Sequence, residues 1–76
     1  MKLIILRTNI KNKKKVKRIK PILNKHPQII SWSVDTEDID NVLRIESTNL
    51  LFENEIIELV KNNGFQCEDL PEYILV

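Results

Sequence analysis

The stretch "KLIILRT" at positions 2–8 is β-branched and almost continuously apolar, which predicts a central strand with both faces partly covered. From Lys13 to Lys25 the period changes. Val16, Ile19, Ile22 and Leu23 recur at steps of three and four, one buried stripe of a helix with the basic residues mostly outside it. Pro21 removes the amide that would bond to the Lys17 carbonyl, so a kink or local break is expected near mid-helix, and His26-Pro27 ends the element. "QIISWSVDT" then alternates Ile30, Trp32 and Val34 with Ser31, Ser33 and Asp35, the period of a strand with one buried face. The turn residues of "EDIDN" lead into a third strand carrying Val42, Leu43 and Ile45, and so short a connection favours an antiparallel hairpin. Between Leu51 and Asn63 a second helical stripe holds Ile56, Ile57 and Val60, with Leu59 beside them; Gly64 suits the left-handed position after its end. Phe65 to Leu70 make a short last strand, which Pro71 breaks, leaving "EYILV" as a tail.

The order β-α-β-β-α-β predicts an α+β, ferredoxin-like sandwich: a four-stranded antiparallel sheet with two helices on one face. A chain of 76 residues fits one domain, residues 1–76 with 71–76 as the tail. Chains of this size bury only about 60% of their unfolded surface, so oligomerisation is a natural supplement. The order alone is compatible with an acylphosphatase-like enzyme, a ligand-sensing module, an RNA-binding domain or a metal chaperone.

Composition narrows the class. With 42% hydrophobic and 30% charged residues the chain should fold rather than remain disordered. The single Cys67 excludes an internal disulfide and fits a reducing cytoplasm. "KLIIL" is too short for a signal-peptide core, and no stretch approaches the roughly 20 apolar residues of a membrane span, so a soluble protein without membrane contact is expected. Net charge hides an asymmetry: residues 1–34 carry +10 and residues 35–76 carry −9. An electropositive face that meets an acidic partner, or another copy of the chain, follows from that split.

No catalytic constellation is present and no cofactor is implied, so the chain is not expected to be an enzyme. Gly64 is the only glycine, which excludes a glycine-rich phosphate loop, and no nucleophile lies near a histidine in the sequence. Arg7 precedes "TNIKN", which lacks the glycines of a phosphate cradle. Asp35, Glu37, Asp38 and Asp40 read as a charged hairpin turn. Nucleic-acid binding through the basic first helix is an alternative, but a disfavoured one. RNA-binding domains of this fold stack bases on aromatics of the first and third strands. Here the aromatics are Trp32, Phe52, Phe65 and Tyr73, none on those strands, and the acidic second half would repel a polyanion.

The spacing of the chain resembles the heavy-metal-associated domain of small copper chaperones and copper-transporting ATPases. That family runs Met-x-Cys-x-x-Cys-Val-x-x-Ile, then a Leu, a Pro-Gly-Val, a Val-x-Val-Asp strand, an acidic helix with paired aliphatics, and Gly-Tyr/Phe. Val16, Ile19, Leu23, Pro27, Ile29, Trp32, Val34, Asp35, Ile56, Ile57, Gly64 and Phe65 occupy those places in order. The resemblance implies the ferredoxin-like fold and a metal loop between the first strand and helix. In that register Ile10 takes the Met position, Asn12 the first Cys and Lys15 the second. Both thiolates that would select Cu(I) are missing, and Lys15 brings positive charge to the ion's place. The motif is therefore degenerate, and no metal ligand set is expected. Cys67 is a weak remaining candidate: the implied topology brings its loop toward Asn12, and two chains could share a metal through it. His26, at the far end of the first helix, cannot join them.

Lys11, Lys13, Lys14 and Lys15 surround the start of that helix, where the dipole is already positive, at a cost of about 0.3–1 kcal/mol. Together with Lys17 and Arg18 they form the candidate partner-binding face. Family members dock this helix and loop against an acidic face of a partner domain, which implies an acidic protein surface as the partner here. Glu53, Glu55 and Glu58 of a second copy would serve the same role in a weak homo-oligomer.

Overall fold

Alternation concealed in the first apolar run decides the architecture. Ile4, Leu6 and Thr8 of β1 (Lys2–Thr8) turn inward and are buried, while Leu3 on the other face remains 59% exposed and Ile5 half-buried. The computed structural model describes residues 1–70. After β1 come α1 (Lys13–Lys25), β2 (Ile29–Val34), β3 (Leu43–Ser47), α2 (Glu53–Asn62) and β4 (Cys67–Asp69). All strand pairs are antiparallel, in the spatial order β2-β3-β1-β4. This is the four-stranded sheet with two helices that the sequence predicts.

The helices cover the inward face. Ile19 and Leu23 of α1, and Ile56 and Val60 of α2, are buried against Ile4, Leu6, Leu43 and Ile45 of the sheet. Each such side chain is worth about 1.5–3 kcal/mol relative to exposure. Val16, Ile22 and Trp32 lie partly buried at the margin of this core, and the Trp32 indole N–H donates to Asn24 of α1 at 2.8 Å. The C-terminus of α2 closes as expected, with Gly64 at φ +90°, a left-handed conformation that glycine adopts without a Cβ clash.

Among the described residues the outer face of β1 is covered in part, with Ile5 half-buried and Leu3 exposed. Three expectations need correction. First, Ile30 does not share a face with Trp32 and Val34. A register shift between Ile29 and Ser31 inserts one extra residue in β2, so Ile29 takes the inward position opposite Ser47 and Ile30 is 57% exposed. Second, the local break allowed for at Pro21 does not occur: α1 is continuous from Lys13 to Lys25. Pro21 is exposed, so the carbonyl it fails to satisfy can be met by water. Third, β3 and β4 are shorter than their sequence pattern. Val42 precedes β3 as a buried loop residue whose carbonyl accepts from the Asp35 amide at 2.9 Å, and β4 pairs only from Cys67 to Asp69. The tail lies outside the described residues.

The register of β2 can be tested directly. Ile30→Ala should change stability by no more than about 0.5 kcal/mol, as an exposed substitution does. Ile29→Ala should cost about 1 kcal/mol or more. Urea denaturation of the two variants decides between them, and the reverse order would remove the bulge.

Candidate functional site

Three connections meet at one end of the sheet. β1 stops at Thr8, whose buried hydroxyl donates to the Asn41 carbonyl at 2.6 Å and accepts from the Ile10 amide at 3.1 Å; the Thr8 amide donates to the Asp40 carbonyl at 3.0 Å. Buried polar groups are expensive to leave unpaired, so these bonds fix the β1–α1 loop against the β2–β3 loop. The Asn9 side-chain oxygen accepts from the Gln66 amide at 2.9 Å, which brings the α2–β4 loop alongside. Ile10 is fully buried between them.

Asn12 has a structural task. Its Oδ1 accepts from the Lys15 amide at 3.0 Å and its carbonyl from the Val16 amide at 3.0 Å, so it is the N-cap of α1. The cap satisfies one of the four donors a helix start leaves free. No acidic residue occupies the first turn. Lys11, Lys13, Lys14, Lys17 and Arg18 are exposed and Lys15 is half-buried. Among the described residues none of these six has a carboxylate within 4.0 Å. Arg18 is engaged in another way: its guanidinium lies 5.0 Å from the centre of the Phe65 ring, a cation–π contact that ties α1 to the α2–β4 loop.

Cys67 pairs with Thr8 across the strands, four residues before Asn12, and is thus carried toward the loop. Its side chain is 3% exposed and belongs to the hydrophobic core. Burial pushes the thiol up to about 12 from its ordinary 9.0; the Lys61 charge opposes this and the Glu53 and Glu68 carboxylates add to it. A metal takes the thiolate, which this surrounding disfavours. Among the described residues no group of three or more His, Cys, Asp and Glu side chains is placed to hold a metal ion. The His26 ring accepts from the Gln28 amide at 3.1 Å, beyond the other end of α1.

The acidic turn is organised by its own backbone. Asp35 accepts from the Glu37 amide at 3.1 Å and Asp38 from the Asp40 amide at 2.8 Å. Asn41, at φ 44°, donates to the carbonyls of Thr36 and Asp38. Sequence reasoning passed over Asn41, although asparagine ending a polar turn is a recognised signal for the left-handed region. It also passed over the partners of Arg7, whose Nε lies 3.1 Å from Asp40 and whose terminal nitrogen lies 3.2 Å from Glu68. Glu53, offered as a partner for a second copy, sits against Asp69. Burial, a hydrogen bond that the protonated Glu53 donates to the Asp69 carboxylate, and the charge of that carboxylate raise its pKa, while Lys2 opposes.

Comparison with solved structures places this arrangement. The yeast copper transporter domain Ccc2A, solved in solution in apo and Cu(I)-loaded states, superposes with a TM-score of 0.78 at 18% identity, over 92% of this chain and 96% of that one. The fold is heavy-metal-associated-like. A second structure, from work on crosstalk between Cu(I) and Zn(II) homeostasis, gives a TM-score of 0.77 at 14% identity over 92% of this chain and all of that one. No protein-family model and no curated protein sequence matches the chain. At such identities the likeness extends to the fold and not to the ligands. Among the described residues no helix is long and apolar enough to cross a membrane.

Two measurements check the roles assigned to Asn12 and Cys67. Asn12→Ala should cost about 1 kcal/mol through the lost cap. Asn12→Asp should keep the cap and gain about 0.3–1 kcal/mol from a negative charge at the helix start. Thermal or urea unfolding reads both. For Cys67 the folded state holds the proton more tightly than the unfolded chain, so its contribution is complete below pH 9.0 and declines as pH rises toward about 12. The stability difference between the wild type and Cys67→Ala should shrink across that range.

Proposed function

We infer that this chain is a small non-enzymatic module of the metal-chaperone type that docks an acidic protein surface through α1 and holds no Cu(I) of its own. One observation carries the reading: Lys11, Lys13, Lys14, Lys17 and Arg18 stand exposed, and neither they nor the half-buried Lys15 have a carboxylate partner among the described residues, around a loop whose first ligand position is a helix cap. Soft sulfur donors select Cu(I), and an amide oxygen already bonded to a backbone N–H, followed by an ammonium, does not replace them. The fit between site and copper is therefore poor, while the fit between face and acidic partner is good. Charge at such a rim governs orientation and association rate, and it weakens with salt.

The lone thiol, buried in the core, is consistent with a reducing compartment such as the cytoplasm. Its burial argues against a metal shared between two copies through Cys67. Nucleic acid is the weaker partner for α1, because the outward residues of β1 and β3 include no aromatic on which a base would stack.

Competition against a strong Cu(I) chelator in reducing buffer tests the reading. The wild type should leave the copper with the chelator, whereas Asn12→Cys combined with Lys15→Cys should take it without a change of fold. Stoichiometric copper on the wild-type monomer would overturn the assignment. Half-stoichiometric copper lost in Cys67→Ser would transfer the function to a bridged pair. Micromolar nucleic-acid affinity at physiological salt, lost when Lys13, Lys14 and Lys17 become Glu, would transfer it to polyanion binding.

A further inference from the structure

The sequence of β1 anticipates partial cover on both faces; the helices pack on the inner one, and the outer one leaves Leu3 59% exposed. On the other, the strand register sets out two cross-strand rows. Ser31, Glu46 and Leu3 stand side by side on β2, β3 and β1; Ser33, Arg44 and Ile5 stand side by side one step along. All of these but Ile5 border a shallow depression of about 270 Å³, which Trp32 also lines. Ile30, displaced outward by the bulge, adds exposed apolar surface at the β2 edge. Among the described residues Arg44 has no carboxylate within 4.0 Å, and the Glu46 carboxylate accepts from the Ser31 hydroxyl at 2.7 Å.

We propose that this open face packs against the same face of a second copy, about a two-fold axis that lies in the interface and crosses β3 at Ile45. Such an axis reverses the strand direction and keeps each strand over its counterpart. The row of Ser31, Glu46 and Leu3 then meets the partner's row of Ser33, Arg44 and Ile5. Hydroxyl faces hydroxyl, carboxylate faces guanidinium, and aliphatic faces aliphatic, all three matches at once. An axis running along the strands would instead stack Arg44 on Arg44 and Glu46 on Glu46. Charge therefore selects the first arrangement and rejects the second.

A second copy suits this face better than the alternatives. An acidic peptide or a nucleic acid that satisfied Arg44 would set negative charge against Glu46, two residues away on the same face. A two-fold pair satisfies both. Three strands at about 4.8 Å spacing and about five residues at 3.4 Å give a patch on the order of 300 Å² per partner, below the roughly 800 Å² of a standard interface. The pair is correspondingly weak and forms at high local concentration. The face lies across the sheet from α1, so it leaves the basic helix free for the docking described above.

Sedimentation of the full chain up to about 1 mM, the weak end of the affinity scale, tests the proposal. The wild type should self-associate. Arg44→Glu and Glu46→Arg, each alone, should raise the dimer Kd by about tenfold or more, because each sets like charges face to face. Mixed together, the two variants should form a one-to-one heterodimer, since every pairing across the axis becomes opposite in sign. Both substitutions are at exposed positions, and circular dichroism verifies that each variant is folded. A monomeric wild type at the highest concentration, unchanged association of Arg44→Glu, or no complex on mixing would each overturn the proposal. Substitution of Lys13, Lys14 and Lys17 by Glu should leave self-association unchanged; its loss there would place the contact on α1 and overturn this assignment as well.

Discussion

β1 is held from both sides, antiparallel to β3 from Lys2 to Leu6 and to β4 from Leu6 to Thr8, and its end is fixed by a buried hydroxyl. Thr8 must find partners inside the protein, since an unmet buried polar group costs about 1–3 kcal/mol. It finds them in Asn41 and Ile10. The consequence is that the β1–α1 and β2–β3 loops converge whether or not anything is bound there, and Asn9 adds the α2–β4 loop. Preorganisation of this end belongs to the scaffold.

The start of α1 balances opposing effects of similar size. A good N-cap contributes about 1 kcal/mol, and like charge in the first turn removes about 0.3–1 kcal/mol. Neither decides whether the helix forms. The burial of Ile19 and Leu23, at about 1.5–3 kcal/mol each, is larger than both. Core packing therefore frees the first turn to carry charge that would be unfavourable in an isolated helix, and Asn12 keeps the helix boundary sharp while it does so.

The sequence made the elements legible wherever burial had a clean period. The bounds of α1, the stripe of Ile56 and Val60, and the left-handed Gly64 all follow from local spacing and chemistry. Ile30 was misplaced because alternation assigns faces by counting, and a bulge adds one to the count without a marker in the residues. On the outer face of β1 cover is only partial, since Ile5 is half-buried and Leu3 exposed: apolar character reports a preference for burial, not its fulfilment. At the candidate site Asn12, Lys15 and Cys67 were singled out by the family resemblance and the topology it implies. Their tasks were not, since a cap and a buried thiol depend on backbone direction and on neighbours far along the chain. The Arg18–Phe65 contact joins residues on different elements, and nothing local signals it.

The side chain of Trp32 bridges two layers. It is the only tryptophan, it lies half-buried against the core, and its indole N–H is bonded to Asn24 near the end of α1. Indole emission responds to the polarity and hydrogen bonding around the ring, so the molecule carries a built-in optical probe of a single contact: the seating of the last turn of α1 on β2. A loosening of that helix end would change the fluorescence before the sheet comes apart, which separates local fraying from global unfolding without any added label.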